Sequence, residues 1–549
     1  MAALFVGAVS MMQYGCNWGS SSPVSPSAIT SVFPPQGSDG ALVTTLVTAT
    51  FRDEMNATTI NDTTFTLSLG GAPVTVSSVS YDSTSGTATL IPASDLISGS
   101  EYRATISSTV ENTSGDMPLA SNYVWSFTIS PDMFLVTENE SGITGNNRSD
   151  TSDIDGTGRY VVFESTATNL DPDITTTGLN QIYRKDTVTG EVELVSSDSS
   201  SLQVANNASF APAISDNGRF VVFQSAATNL ATITTGGILQ VYIKDMADGS
   251  IELASRDINA TAGNAPATSA VVSNDGRYVA FQSSATNLSS LNSNGVIQIY
   301  RKDMADESVD MISRETTLTG GANGLSASVD ISSDGRFVVF ESNATNLVSP
   351  PTSNISRIYF VDMNSPDTIE LVSVADDGSD AQESSHSPSV SDDGRYVVFE
   401  SNAANLDLST TDNNNATDVF LRDRNPSGAP STTLVSVNPV TATSADSAST
   451  NASISSNGSY IAFQSIASDI VSGDNLALID IYVRNLDSAT IMIDQVNISA
   501  TGINPTVNSG RATISKDGRY VSFDSVHKYT LDDTDGLFDV YRAYNSSYQ

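Results

Sequence analysis

Two hydrophobic rhythms divide this 549-residue chain. From Ile29 to Ser130, apolar and polar side chains alternate in short runs, among them Leu42 to Phe51, Thr64 to Leu69, Ala88 to Ile91, Tyr102 to Ile106 and Tyr123 to Ile129. A period of two puts alternate side chains on one buried face, and turn residues interrupt the runs every eight to twelve positions. The pattern predicts about seven strands of a small β-sandwich over residues 29–130.

Beyond Met133 a longer unit repeats. The phrase DIDGTGRYVVFESTATNL (Asp153 to Leu170) returns as ISDNGRFVVFQSAATNL, VSNDGRYVAFQSSATNL, ISSDGRFVVFESNATNL, VSDDGRYVVFESNAANL, ISSNGSYIAFQSIASDI and ISKDGRYVSFDSVHKYTL. Its turn glycines are Gly158, Gly218, Gly276, Gly335, Gly394, Gly458 and Gly518, at intervals of 60, 58, 59, 59, 64 and 60 residues. Each copy continues with a strand centred on Tyr183, Tyr242, Tyr300, Tyr359, Phe420, Tyr482 or Tyr541, then a run such as Val192 to Ser196. Four antiparallel strands repeated radially make a β-propeller blade. The seventh copy shows no fourth strand, whereas Met133-Phe134-Leu135-Val136-Thr137 precedes the first copy and parallels Val192-Glu193-Leu194-Val195-Ser196. The expectation is an all-β chain with a seven-bladed propeller over residues 133–549, the N-terminal strand completing blade seven and removing its open edge.

Specific phrases carry two resemblances. Pro34-Pro35-Gln36-Gly37, TATFRDEMNATTIN (Thr48 to Asn61), LIPASDLISGSEYRATIS (Leu90 to Ser107) and Trp125-Ser126-Phe127 resemble the bacterial Ig-like domain of surface-layer and envelope proteins. That resemblance implies a spacer or adhesive module displayed outside the cytoplasm. The repeat rich in S-x-A-T-N-L resembles the WD40-like repeat of TolB-type periplasmic propellers, which serve diverse partners, so fold alone does not fix the role.

The N-terminal composition adds a route to the envelope. Residues 2–12, AALFVGAVSMM, are uncharged, mostly apolar and too short to span a bilayer, so residues 1–15 read as a signal peptide. Gln13-Tyr14-Gly15-Cys16 resembles a bacterial lipoprotein processing site, with Gln13 where Leu is usual, and this marks Cys16 for lipidation. Residues 16–28, rich in Ser and Pro, form a tether. No later stretch reaches the roughly 18 apolar residues of a membrane helix, which limits membrane contact to a lipid anchor. Against 62 Asp plus Glu the chain sets 24 Lys plus Arg, for a formal charge of -38. That balance removes the attraction that drives nucleic-acid binding. One Cys and two His exclude a disulfide and disfavour a zinc site.

Candidate chemistry gathers where the repeat varies. Antiparallel order puts the tight first-to-second and third-to-fourth turns at one end of every blade and the long loops at the other, making the long-loop face the expected binding surface. Its second-to-third loops carry no acid in blades two to four (Ala231 to Ile238, Ser289 to Val296, Val348 to Ile355). Acids occur at Asp171 and Asp173 in blade one, Asp407, Asp412 and Asp418 in blade five, Asp474 and Asp480 in blade six, and Asp532, Asp533, Asp535 and Asp539 in blade seven. Ring closure joins these into an acidic arc. Asp412, Asp418, Asp474, Asp480, Asp533, Asp535 and Asp539 offer hard oxygens suited to calcium, and a solvated acidic rim or a cationic partner are the other readings. His386, placed just before the first strand of blade five, and His527, which with Lys528 and Tyr529 replaces the A-T-N phrase of blade seven, join Asp171 and Asp173 as binding-face candidates. Recurrent Arg159, Arg219, Arg277, Arg336, Arg395 and Arg519, and recurrent Asp186, Asp245, Asp303, Asp362 and Asp423, read as scaffold ion pairs.

The leading functional expectation is an exported, lipid-anchored, non-catalytic scaffold that docks an envelope protein or glycan. A polysaccharide lyase or glycoside hydrolase on the long-loop face is one alternative. A TolB-like component of an envelope complex is another, although seven copies and an Ig-like leading domain depart from that protein.

Overall fold

The computed structural model describes residues 28–549 except 39–40, 42, 44, 98, 130–132, 172–173, 175, 177, 199–202, 294, 350–352, 426–427, 473, 475, 489, 499–504, 531–532, 534, 546–547 and 549. Cys16, Asp173 and Asp532 lie outside the described residues. The chain forms two units: one holds the strand Ile29–Phe33 with Leu46–Ser94 and Arg103–Trp125, the other Pro34–Thr45, Asp95–Tyr102 and Ser126–Gln549. No described helix is long and apolar enough to cross a membrane.

Residues 29–128 build two four-stranded sheets. One runs in the order Ile29–Phe33, Val47–Phe51, Thr87–Pro92, Val76–Asp82, the other Ala72–Pro73, Phe65–Leu69, Glu101–Ile106, Tyr123–Thr128. The alternation decides which side chains go inside: Val47, Ala49 and Phe51 are buried while Thr48 and Thr50 are not. Phe65 meets Trp125 with ring centroids 5.9 Å apart, so both are core aromatics. Eight strands form where alternation predicts about seven, because the two-residue Ala72–Pro73 is too short to show a period.

Seven four-stranded antiparallel sheets follow, each in sequence order except at the end. Blade one is Ser149–Ile154, Tyr160–Ser165, Gln181–Asp186 and Val192–Leu194; blades two to six begin at Ser209, Ala267, Ser326, Ser385 and Ser449. Blade seven is Ser509–Ile514, Tyr520–Ser525 and Asp539–Tyr544, with Met133–Leu135 as its outer strand. Leu135 pairs with Tyr541, Phe134 with Arg542 and Met133 with Ala543, and the Val136 N–H donates to the Val540 carbonyl at 2.9 Å. The ring therefore closes through the N-terminal strand, which buries Met133, Phe134, Leu135 and Val136.

The turn phrase D-G-R-Y explains how neighbouring blades fit. Each turn glycine has positive φ, and the aromatic of the preceding blade lies where its Cβ would be: Tyr160 over Gly218, Phe220 over Gly276, Tyr278 over Gly335, and around the closure Tyr520 over Gly158. In blades one to five the following Arg reaches the third strand of its own blade, with Arg159–Asp186 at 2.6 Å, Arg219–Asp245 at 2.6 Å, Arg277–Asp303 at 2.8 Å, Arg336–Asp362 at 2.6 Å and Arg395–Asp423 at 2.7 Å, whereas Arg519 of blade seven pairs with Asp517 of its own turn at 3.2 Å. These arginines are partly exposed, so solvent screening leaves each pair little net stabilisation; arginine stacking on the aromatic, as for Arg336 on Phe337 at 4.5 Å, fixes ring orientation as well.

A second seam lies in the first strands. Each carries a bulge with one left-handed residue, namely Thr151, Ala211, Ser269, Ser328, Ser387, Asn451 and Arg511, with φ between 46° and 56°. Five of these N–H groups are held by a side chain of the preceding blade: Glu164 accepts from Ala211, Gln282 from Ser328, Glu341 from Ser387, Glu400 from Asn451 and Gln464 from Arg511. That is the physical role of the E-S or Q-S that ends the second strands of blades one and three to six.

Blade one breaks the turn pattern at Asp155. Six blades place a serine there, whose hydroxyl accepts the N–H five residues on, as Ser215 does from Phe220 at 2.9 Å. Asp155 accepts the same bond from Tyr160 at 2.9 Å, but burial pushes its carboxyl up to about 7. An acid raised in the folded state is stabilised by its proton, so this stability is present below the unfolded value near 3.8 and is lost as pH rises through about 7. Asp155→Ser is expected to raise the melting temperature at pH 8 and to change it little at pH 4.5, a difference worth up to about 4 kcal/mol. Equal effects at both values in a thermal melt would refute the assignment.

Candidate functional site

In the third strands one position sorts the blades into two chemistries. Blades one to three place Gln181, Gln240 and Gln298 there. Each accepts from a serine (Ser196 at 2.6 Å, Ser255 at 2.5 Å, Ser313 at 2.6 Å) and donates to a loop carbonyl (Ala205, Gly263, Ala322). Arg357 of blade four donates to the Ala381 carbonyl in the same way. Blades five to seven place Asp418, Asp480 and Asp539 there, each with a second acid six residues earlier, at Asp412, Asp474 and Asp533. A carboxylate has no N–H to offer the loop, and two carboxylates face each other across a short turn.

The second acids also capture the tyrosines. In blades one to four the hydroxyls of Tyr183, Tyr242, Tyr300 and Tyr359 donate to the alanine carbonyl of the A-T-N phrase, at 3.1 to 3.5 Å. Tyr482 instead donates to Asp474 at 2.7 Å, and Tyr541 to Asp533. Burial, and then the neighbouring acid, push Asp418 up to about 7 and Asp480 up to about 6. Asp418 accepts from Ser436 at 2.6 Å and Asn414 at 2.9 Å; Asp480 accepts from Asn497 at 2.7 Å. The acids thus gather blade by blade. Among the described residues the one group of three that converges is Asp533, Asp535 and Asp539, each offering an oxygen within 4.8 Å of the others.

The remaining candidates occupy separate places. Asp171 is half-buried in blade one. His386 lies within the first strand of blade five, Ser385–Val390, not before it, since the serine ahead of it already pairs with Ser401. Its Nδ1 lies 3.3 Å from Glu341 of blade four, beside the bulge that Glu341 holds. His527 packs edge-on against Tyr529 with centroids 4.6 Å apart, and burial lowers its imidazole below the ordinary value against the pull of Asp533. Tyr529 in turn meets Tyr541 and Phe523 and shares a 2.7 Å hydrogen bond with Ser509. The two histidines therefore serve different blades.

A polar cluster that the sequence did not disclose sits in the central channel, around a cavity of about 330 Å³. The position two before each turn glycine varies as Gly156, Asp216, Asn274, Ser333, Asp392, Ser456 and Lys516. The Ser333 hydroxyl shares its one proton between Asp216 and, at 2.6 Å, Asp392; Ser456 donates to Asp392 at 2.6 Å. Burial opposes the Lys516 ammonium, but Asp330, Asp216, Asp392 and Asp153 outweigh it and hold its pKa above the ordinary value. Asp153 and Asp330 accept backbone N–H groups of the next blade, Ile214 and Val390, both at 2.9 Å. Variation at one position of an otherwise regular turn was the signal available for this cluster.

Comparison with known proteins places the first module. Residues 23–129 match the bacterial Ig-like domain family. This Ig-like domain contains the two sheets described above. No curated protein matches the chain. Solved structures similar to it include TolB from Acinetobacter baumannii (12% identity, 71% of this chain and 81% of that one, TM-score 0.33). Others are the β-propeller domain of the Trilobed protease from Pyrococcus furiosus (12%, 72% and 95%, 0.38) and Kuenenia stuttgartiensis hydrazine synthase (10%, 72% and 96%, 0.38).

Proposed function

We propose that this chain is an exported, envelope-associated scaffold in which the Ig-like domain accompanies a propeller whose long-loop face docks a protein or glycan. The observation that carries this reading is the joining of a bacterial Ig-like domain, residues 23–129, to a closed seven-bladed propeller. The recurrent side chains support it: the turn glycines, the Arg–Asp pairs and the Glu or Gln of five second strands are engaged within and between blades. Variable side chains of the long loops are left to recognise a partner, among them half-buried Asp412 and exposed Asp535. Cys16 supplies the lipid attachment in this reading. Fractionation of cells expressing the full chain is expected to recover it with membranes and to release the Cys16→Ser variant. Affinity capture from envelope extract is expected to retain one envelope protein or glycan, and to lose it when Asp412 and Asp535 are changed to Asn. A chain that stays in the cytosol, or that captures the same material with both acids removed, would defeat the proposal.

The meeting of His527, Tyr529, Tyr541 and Asp533 favours one second reading, a glycan-cleaving site on the same face. Turnover of a polysaccharide that disappears in His527→Ala would establish it, and binding without turnover would remove it.

A further inference from the structure

Blade seven buries two carboxyl groups that its own residues satisfy only in part. Asp533 is 3% exposed and Asp539 fully buried. Asp533 accepts from the Tyr541 hydroxyl through Oδ2, and Asp539 accepts from Thr137 through Oδ1 at 2.5 Å. The other oxygen of each, Asp533 Oδ1 and Asp539 Oδ2, is buried without a hydrogen-bond partner. Leaving a buried carboxylate oxygen unpaired is costly, and two side by side repel each other. Exposed Asp535 brings a third carboxylate to the same point, all three within 4.8 Å. Lys528 lies nearby, with no ion pair to these three acids among the described residues.

The loop geometry suits a hard cation. Asp533, Asp535 and Asp539 stand at positions one, three and seven of the loop, with Gly536 in the left-handed conformation (φ 74°) between the second and third. Blade five repeats the frame with Asp412, Asn414 and Asp418 and with Asn415 left-handed (φ 52°), and Asp412 Oδ1 is likewise buried and unpartnered. Blade six has Leu476 at the middle position and lacks that ligand. Oxygen-only donors, two of them charged and buried and one open to solvent, match calcium rather than a softer metal.

We propose that Asp533, Asp535 and Asp539 bind a calcium ion, and that the ion ties the ring-closing strand to blade seven. The link runs through Asp539, which holds Thr137 directly after the Met133–Leu135 strand. Calcium is thereby placed at the one junction where the ring is closed by two segments distant in sequence.

Calcium or terbium titration of the full chain tests this. Terbium luminescence excited through the tyrosines is expected to saturate, with at least tenfold weaker binding in Asp539→Asn and at least fivefold weaker in the exposed Asp535→Asn, which leaves the fold alone. Calcium is expected to raise the melting temperature of the native chain by several degrees over chelator and to leave Asp539→Asn unchanged. It is also expected to slow hydrogen exchange at Val136 and Val540. Unchanged terbium affinity in both variants, or a melting temperature identical in calcium and chelator, overturns the proposal.

Discussion

Leu135→Asp is expected to open the ring and lower the melting temperature of the propeller by about 10 °C or more. Leu135 is buried within a cluster that includes Val521, Phe523, Tyr541 and Ala543, and its partner across the sheet is Tyr541. Truncating a buried leucine costs about 2–5 kcal/mol, and an unpaired carboxylate in its place adds a desolvation penalty. Once the strand detaches, Met133, Phe134 and Val136 leave the core with it, at about 1.5–3 kcal/mol for each large side chain. Together these losses approach the whole stability of an ordinary domain. They also expose Asp539–Tyr544 as a free edge, so the variant is expected to self-associate. Moving residues 133–138 to the C-terminus through a Gly-Ser linker is expected to restore the melt, because the strand would then reach the same edge. A variant that melts with the native chain, and whose Val540 amide exchanges no faster, would show that closure does not depend on this strand.

How far the sequence discloses the molecule differs between scaffold and site. Seven glycines at near-constant spacing, a missing last strand and a spare first one were enough to predict the ring and its closure. Each feature is a backbone requirement repeated seven times, and repetition makes it readable. The Arg–Asp pairs were legible for the same reason. The paired acids of blades five to seven were legible as composition, but as an arc. Only the structure shows that the later acid of each pair stands where blades one to three have a glutamine amide, and that the earlier acid in blades six and seven replaces an alanine carbonyl as acceptor of the tyrosine hydroxyl. The channel around Lys516 was not legible, because its members come from one position in different blades and each looks like an ordinary turn residue. The strand that holds His386 begins two residues earlier than the sequence suggests, at Ser385, since bulged strands begin before their hydrophobic run does.

Breaks in the repeat concentrate at the closing junction. Blade seven carries Asp524 where other blades have Glu or Gln, and one of its oxygens is buried without a partner; burial pushes its carboxyl up to about 7. Nearby Arg511 spans the junction to Asp150 at 2.9 Å and to the Thr151 hydroxyl. Arg542, fully buried, donates to the Gly158 carbonyl at 2.7 Å and stacks on Tyr520 and Phe134. A seam made by distant segments bears the full loop-closure entropy of the ring. Charged, directional contacts there select one partner edge out of seven similar ones, which apolar packing alone would not distinguish.

The second large effect is expected at Gly335. Gly335→Ala requires a residue with a Cβ to hold φ near +73°, and the added carbon falls 2.2 Å from Cδ2 of Tyr278 and 2.9 Å from its Cβ. The backbone strain alone is about 1–2 kcal/mol, and a contact that short forces the ring or the turn to move, typically at another 1–3 kcal/mol. Tyr278 has little freedom to yield, since Arg301 stacks on it at 4.3 Å while donating to the Gly335 carbonyl at 2.8 Å. The expected outcome is a loss of about 2–5 kcal/mol in denaturant unfolding, with faster exchange at the seam between blades three and four. Because much of the loss is steric, Tyr278→Ala combined with Gly335→Ala should be less destabilised than the sum of the single changes, by at least about 1 kcal/mol. The remainder, set by the left-handed turn, should survive in the double variant. Strict additivity would mean that ring and glycine are neighbours without fitting one another, and the account of how the seven blades are held in register would have to be given up.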